Sequence, residues 1–327
     1  MKSSLSLTSA IAVIAVLVAA CGAAAAPPAA ATATSGAATP MTSAPSHSPT
    51  MVQTPAAESA SPFVTQSLTP GQRHIYWANN GPAGHTIGGA NIDGTDPTET
   101  LIDAGSRPCF VALDTTYVYW GSENGPSISR ARLDGSDVEL EFIGGLSSAC
   151  GLVLDAEHIY WAGTIDQTIG RANIDGTDVN KLFITGLNRP CGVAVDADHI
   201  YWGSWGGYGT IGRANLDGSA SESWFIKDID SNCGVAVNSR YVYWAGRTSI
   251  GRAKLDGTAV ERSFLAGADG GCGVAVDRSH IYWGNQKPSP AEDGTTIGRA
   301  NLDGTGLNQA FVEGAIGPCG VAIESAR

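Results

Sequence analysis

One unit recurs six times along this chain, and that repetition narrows its possible folds more than any other feature. The dipeptide Tyr-Trp stands at Tyr76-Trp77, Tyr119-Trp120, Tyr160-Trp161, Tyr201-Trp202, Tyr243-Trp244 and Tyr282-Trp283, at intervals of 39 to 43 residues. Asp-Gly keeps step at 93/94, 134/135, 175/176, 217/218, 256/257 and 303/304, and so does a cysteine at 109, 150, 191, 233, 272 and 319. A fixed period of this length marks an array of supersecondary units, each burying its faces against its neighbours.

Inside one unit four short runs read as strands. "CGVAVD" is small and β-branched, "HIYWG" is aromatic, and "TIGRANL" leads through Asp-Gly into a fourth run such as "VNKLFITG". Asp-Gly between two such runs is a strong hairpin signal, with both turn residues expected at positive φ. No stretch carries a helical period of useful length. Four strands in about 41 residues is the size of one propeller blade, so the predicted fold is all-β, a six-bladed propeller of four-stranded blades.

The order Pro-x-Gly-Val-Ala-Val-Asp, then Ile-Tyr-Trp, then Ile-x-Arg-Ala-x-Leu-Asp-Gly resembles the low-density lipoprotein receptor class B repeat, the YWTD propeller, across residues 74–324. It also resembles bacterial proteins with that repeat. Two departures stand out: Thr-Asp after Tyr-Trp is replaced by Ala-Asn, Gly-Ser or Ala-Gly, and cysteine stands where the family often has arginine. Both weaken any transfer of the animal receptors' partners to this chain. The first copy enters at its second strand, His74 to Trp77, and the chain stops after a lone first strand, Cys319 to Glu324. That last strand is expected to complete the first blade and close the ring. The alternative donor is Phe63 to Leu68, which lacks the Gly-Val-Ala-Val pattern.

Ahead of the repeats, residues 1–21 have one lysine, an apolar run from about Leu5 to Ala20, and Val18-Ala19-Ala20-Cys21. This resembles a bacterial lipoprotein signal with its lipobox, cut so that Cys21 becomes a lipid-bearing N-terminus. A simple secretory peptide cut in the Ala-rich stretch is the alternative. Residues 22–70 are almost entirely Ala, Pro, Ser, Thr and Gly, too poor in large apolar groups to offset their ordering entropy. They read as a disordered tether with a reach on the order of 40 Å. Residues 71–327 hold all but one of the 19 Lys and Arg and all but one of the 31 Asp and Glu, so the propeller carries the net charge of −12. Such a surface repels phosphate backbones, and nucleic acid is not an expected partner.

Each "CGVAVD" run is the innermost strand of its blade, which puts Cys109, Cys150, Cys191, Cys233, Cys272 and Cys319 in a ring at one mouth of the channel. Four thiolates of a ring several Å in radius cannot converge on a zinc that needs sulfurs at about 2.3 Å. Two or three neighbours sharing a soft ion, disulfides between adjacent strands with Cα atoms within about 6.8 Å, and packing as small hydrophobes all remain open.

His74, His158, His199 and His280 share their position with Tyr117 and Tyr241, which reads as a structural site on the opposite face. Arg130, Arg171, Arg213, Arg252 and Arg299 on the third strands are expected to pair with repeated carboxylates such as Asp155, Asp196 or Asp277.

Departures from six-fold symmetry point to function. The loop between second and third strands leaves on the cysteine face and is longest in the sixth and first copies, which become neighbours on closure. With copy four these loops supply a candidate ligand rim of Asn79, Asn80, His85, Trp205, Tyr208, Asn285, Gln286, Lys287, Glu292 and Asp293. The resulting expectation is a monomeric, lipid-anchored, extracytoplasmic binding or scaffold propeller that engages a protein, glycan or small molecule, with no cofactor, no catalytic set and no metal site. The alternatives are a propeller enzyme of lyase or lactonase type, which needs unlike polar residues converging in the channel, and a thiol- or soft-metal-handling protein.

Overall fold

The computed structural model describes Leu68 and residues 71–82, 84–122, 125–205, 209–230, 233–268, 271–286 and 294–324. These residues form six four-stranded antiparallel sheets, and none of them is helical. Blade 1 contains β1 (His74–Asn79), β2 (Thr86–Asn91) and β3 (Thr98–Asp103), and blade 2 contains β4 (Phe110–Leu113), β5 (Tyr117–Gly121), β6 (Ile128–Arg132) and β7 (Glu139–Ile143). Blade 3 has β8 (Leu152–Leu154), β9 (His158–Gly163), β10 (Thr168–Asn173) and β11 (Asn180–Ile184). Blade 4 has β12 (Pro190–Val195), β13 (His199–Ser204), β14 (Gly209–Asn215) and β15 (Glu222–Ile229). Blade 5 is built from β16 (Val235–Val237), β17 (Tyr241–Ala245), β18 (Ser249–Lys254) and β19 (Glu261–Ala266), and blade 6 from β20 (Gly271–Val276), β21 (His280–Asn285), β22 (Thr296–Asn301) and β23 (Asn308–Glu313). The last strand, β24 (Pro318–Ile323), pairs antiparallel with β1 and completes blade 1, as the repeat count requires.

All six Tyr-Trp pairs are buried, none more than 2 % exposed. Because strand side chains alternate, Tyr and Trp of one pair point to opposite faces of their blade, so each blade contributes a large aromatic to both of its junctions. Each indole lies across the neighbouring third strand, where Gly88, Gly170, Gly212, Gly251 and Gly298 stand opposite Trp77, Trp161, Trp202, Trp244 and Trp283. A Cβ on any of these glycines would run into the indole. Blade 2 has Ser129 at this position, and there Trp120 donates its indole N–H to Ala104 O at 3.2 Å.

The Asp-Gly connections differ from the expected hairpin. Only the glycine takes positive φ (Gly94 at 90°), while Asp93 works through its side chain, accepting from the Thr95 N–H at 3.0 Å and the Thr95 hydroxyl at 2.7 Å. The second bend falls three residues after the aspartate, at Asp96 (φ 52°) and its counterparts Asp137, Asp178, Ala220 and Ala259. These are longer connections in which the carboxylate, rather than a second left-handed residue, fixes the turn. The Thr95 hydroxyl, with its N–H second, holds Asp93 below the usual carboxylate range.

The third-strand arginines also depart from expectation. Each guanidinium lies over a phenylalanine of its own blade's outer strand: Arg130 over Phe142 at 3.7 Å, Arg171 over Phe183 at 4.2 Å, Arg213 over Phe225 at 3.9 Å, Arg252 over Phe264 at 3.5 Å and Arg299 over Phe311 at 3.9 Å. Arg130 and Arg252 pair with the outer-strand carboxylates Glu139 and Glu261. In blade 1 the arginine and phenylalanine are replaced by Gly89 and Leu101, and Leu68 packs over Gly89. Leu68 is 8 % exposed. The last part of segment 22–70 therefore lends a side chain to the folded domain, but it does not supply the closing strand.

Beside this position, Glu99 accepts from the Trp77 indole N–H at 3.2 Å while its Oε1 is buried without a partner. Burial pushes its carboxyl above the usual range, against the Trp77 hydrogen bond. In blade 6 the equivalent residue is Gln309, which accepts from the Trp283 indole and donates to Gly267 O. A folded-state pKa above the unfolded value penalises the ionised form, so Glu99 costs stability increasingly as pH rises above the ordinary glutamate range. Glu99→Gln should therefore stabilise the domain by about 1 kcal/mol at neutral pH and by little in mild acid, as measured by denaturant unfolding of both proteins across that range.

Candidate functional site

The inner strands converge closely at their cysteine ends because a glycine follows five of the six cysteines. A Cβ on Gly151 would strike Cys191 O, one on Gly192 would strike Cys233 O, and one on Gly273 would strike Cys319 O. With that crowding removed, the six sulfurs pair into three disulfides, Cys109–Cys150, Cys191–Cys233 and Cys272–Cys319, with Cα atoms 5.3, 4.9 and 4.8 Å apart. They staple blades 2 to 3, 4 to 5 and 6 to 1. Each closes a loop of 41, 42 or 47 residues, and none of the loops overlaps another. In the chain-entropy account of cross-links each contributes about 4 kcal/mol. The third staple also ties down the strand that closes the ring. Across one unbonded junction, Cys150 Sγ and Cys191 Sγ remain 3.8 Å apart. Three such bonds suit an oxidising, extracytoplasmic compartment.

The channel behind the ring holds a cavity of about 210 Å³ lined by inner-strand side chains such as Phe110, Val153, Val193, Ala236, Val274 and Val321. All the lining side chains are aliphatic or phenyl. They can pack against a ligand but offer no proton-transfer group and no ligand for a hard cation.

The expected rim divides in two. Asn79 and Asn285 do not face solvent: they are 0 % and 6 % exposed. Each accepts from the indole N–H of its blade, Trp77 at 3.0 Å and Trp283 at 2.8 Å. Each also donates to a third-strand threonine and an outer-strand carbonyl. A buried indole N–H needs an acceptor, and that requirement takes both asparagines out of the binding surface. Asn80 lies at the surface between blades, donating to Pro108 O at 2.7 Å while its carbonyl accepts from Arg107, a contact the repeat pattern did not single out. His85 is exposed and Gln286 half-buried. Trp205 is 43 % exposed, and the guanidinium of Arg189 lies 4.5 Å over its ring. Tyr208, Lys287, Glu292, Asp293 and Cys21 lie outside the described residues.

The first and sixth loops do meet. Segment 316–317 bridges them, with Asn80 N–H donating to Gly317 O at 3.1 Å and Gly317 N–H to Gly294 O at 2.8 Å.

On the opposite face, the repeated aspartates cap the turn between first and second strands. Asp155 accepts from the N–H groups of Glu157 and His158 at 2.8 and 2.7 Å and from the Tyr160 hydroxyl at 2.9 Å; Asp196 and Asp114 do the same in their blades. Burial works against the Asp155 carboxylate, but the two N–H groups and the hydroxyl outweigh it and hold its pKa down. Burial, reinforced by the aspartate, raises the Tyr160 phenol. His158, His199 and His280 sit 3.5 to 3.8 Å from these aspartates, dispersed around the ring.

Among solved structures, a chain of the nidogen/laminin complex superposes on this one with a TM-score of 0.63 at 20 % identity, covering 77 % of this chain and 98 % of that one. The likeness is one of fold. A gluconolactonase from Xanthomonas campestris matches this propeller at 16 % identity and TM-score 0.52, over 65 % of this chain and 79 % of that one. A putative TolB from Agrobacterium tumefaciens matches at 14 % and 0.52, over 72 % and 87 %. No protein-family model matches the chain, and no curated protein matches it in sequence. At these identities the propeller shares its architecture with all three.

With the sulfurs paired as above, alkylation of denatured, unreduced protein followed by intact mass should find no free thiol among the six ring cysteines. Reduction beforehand should expose all six.

Proposed function

We propose that this protein is an extracytoplasmic binding or scaffold propeller, held at the cell envelope by lipid on Cys21 and lifted from the membrane by residues 22–70. It engages a protein, glycan or small ligand through its cysteine-side face. The observation that carries this reading is the exposed Trp205 with Arg189 stacked on it, on a loop that breaks an otherwise regular repeat. An aromatic backed by a guanidinium offers a flat apolar surface with hydrogen-bond donors at its edge, a combination suited to sugar rings and protein hot spots. The disulfide staples support a rigid platform in an oxidising compartment, on which the loops of blades 1, 4 and 6 can vary without loss of the fold.

Two experiments test the reading. Cys21→Ser should abolish incorporation of labelled fatty acid and move the protein from the membrane fraction to the soluble one; unchanged fractionation would refute the anchor. For the face, full-length protein is applied to an array of envelope oligosaccharides and, in parallel, to separated envelope proteins. Trp205→Ala should lower the retained signal roughly tenfold or more, as for a central aromatic contact. Trp224→Ala, which removes another exposed indole (53 %) on the outer strand β15, should leave it unchanged. The reverse pattern would move the binding surface to the outer edge of the blades.

A further inference from the structure

The turns between first and second strands follow one template, yet their charge is sharply asymmetric around the ring. Residues 114–117, 155–158 and 196–199, in blades 2 to 4, carry five carboxylates and no lysine or arginine. In blades 5 and 6 the equivalent turns hold Arg240 and Arg278, with Asn238 in place of the template aspartate in blade 5. In blade 1, where β24 and β1 come from opposite ends of the chain, Arg73 stands just before β1 and Glu324 just after β24. These changes fall together around a cavity of about 770 Å³ on the face opposite the cysteines. Its lining includes all three arginines, with Val276, Leu302 and Ile323 supplying apolar walls.

The two carboxylates in this cavity are already committed. Asp277 accepts from the N–H groups of Ser279 and His280 at 2.7 and 2.8 Å and faces Arg73 at 3.5 Å. Glu324 accepts from the His74 N–H at 3.2 Å and the Tyr76 hydroxyl at 3.1 Å. Arg73 is fixed by donating to Glu324 O at 2.9 and 2.6 Å. The guanidinium groups of Arg240 and Arg278 have no ion-pair or hydrogen-bond partner among the described residues, the Arg240 backbone N–H alone donating to Asn238 Oδ1 at 2.9 Å, and Arg240 also borders a second hollow beside Lys254. A protein with net charge −12 thus gathers unpaired guanidinium groups in one concave sector.

We propose that this cavity is a binding site for a small organic oxyanion, a carboxylate or a phosphate or sulfate ester with a compact apolar body. Guanidinium groups present paired N–H donors that match such anions, while the Val276, Leu302 and Ile323 walls take the apolar part. The surrounding acidic surface excludes anions elsewhere, so the positive sector focuses them on this one place. The site is on the other face from Trp205 and stands or falls independently of the binding role proposed above.

The test is calorimetric titration of full-length, disulfide-bonded protein with phenyl phosphate, benzoate and neutral benzyl alcohol at low salt. At least one of the anions should bind and benzyl alcohol should not. Arg240→Gln/Arg278→Gln should weaken the binding roughly tenfold or more without changing Tm, because both side chains are exposed and unpaired. Glu157→Gln/Asp198→Asn, on the acidic side of the ring, should bind as the wild type does. Which anion binds more tightly names the class. No binding of either anion, equal binding of benzyl alcohol, or unchanged affinity in the arginine double variant would overturn the proposal.

Discussion

A four-stranded blade with a large aromatic on each face cannot exist alone, and everything else in this molecule follows from that. Tyr and Trp, adjacent in sequence, project to opposite sides of one strand, so each blade demands a partner on both sides. Only a closed ring gives six blades twelve buried faces. β24 and β1, from the two ends of the folded chain, meet in one sheet and so complete blade 1, which closes the ring. The glycine opposite five of the six indoles and the glycine after five of the six cysteines both serve this packing, one by letting the indole lie flat and the other by letting inner strands approach.

Closure at the inner strands has a chemical consequence. Where six cysteines start six converging strands, a sulfur bonded to one neighbour cannot bond to the other, so disulfides join only alternate junctions; Cys150 and Cys191, 3.8 Å apart, lie across one left unbonded. The ring is therefore stapled at three of its six junctions, one of them holding β24, the strand that closes the ring. The rigid wheel that results separates two faces with different character. On the cysteine side, loop length varies from blade to blade; on the turn side, length is constant and charge varies. Function on such a scaffold resides in departures from symmetry, since a feature repeated six times around a ring serves the ring.

Much of this was legible in the sequence. The Tyr-Trp, Asp-Gly and Cys markers gave blade number, strand order and the closing strand, because hydrophobic period and turn chemistry are local properties. The rim was only partly legible. Asn79 and Asn285 end the second strands β1 and β21, where the sequence suggests a loop begins, but a buried indole N–H two residues earlier draws them inward. The third-strand arginines carry charge that pointed to carboxylates, yet the nearest surface after folding is the phenylalanine of the next strand, set by register. Arg240, Arg278 and Arg73 carry no local sign of a common site because Arg73 lies far from the other two in sequence and reaches them only through closure.

The sequence by itself determined that this chain builds six equivalent blades and joins its ends, since a repeat dictates the unit and its need for neighbours. It could not choose which cysteines pair. Six evenly spaced cysteines allow two alternate sets of three bridges that are identical by repeat symmetry, and only the positions of the inner strands at the channel mouth separate them. The same holds for the arginine cavity, because charge becomes a site only where the ring brings distant turns to one wall.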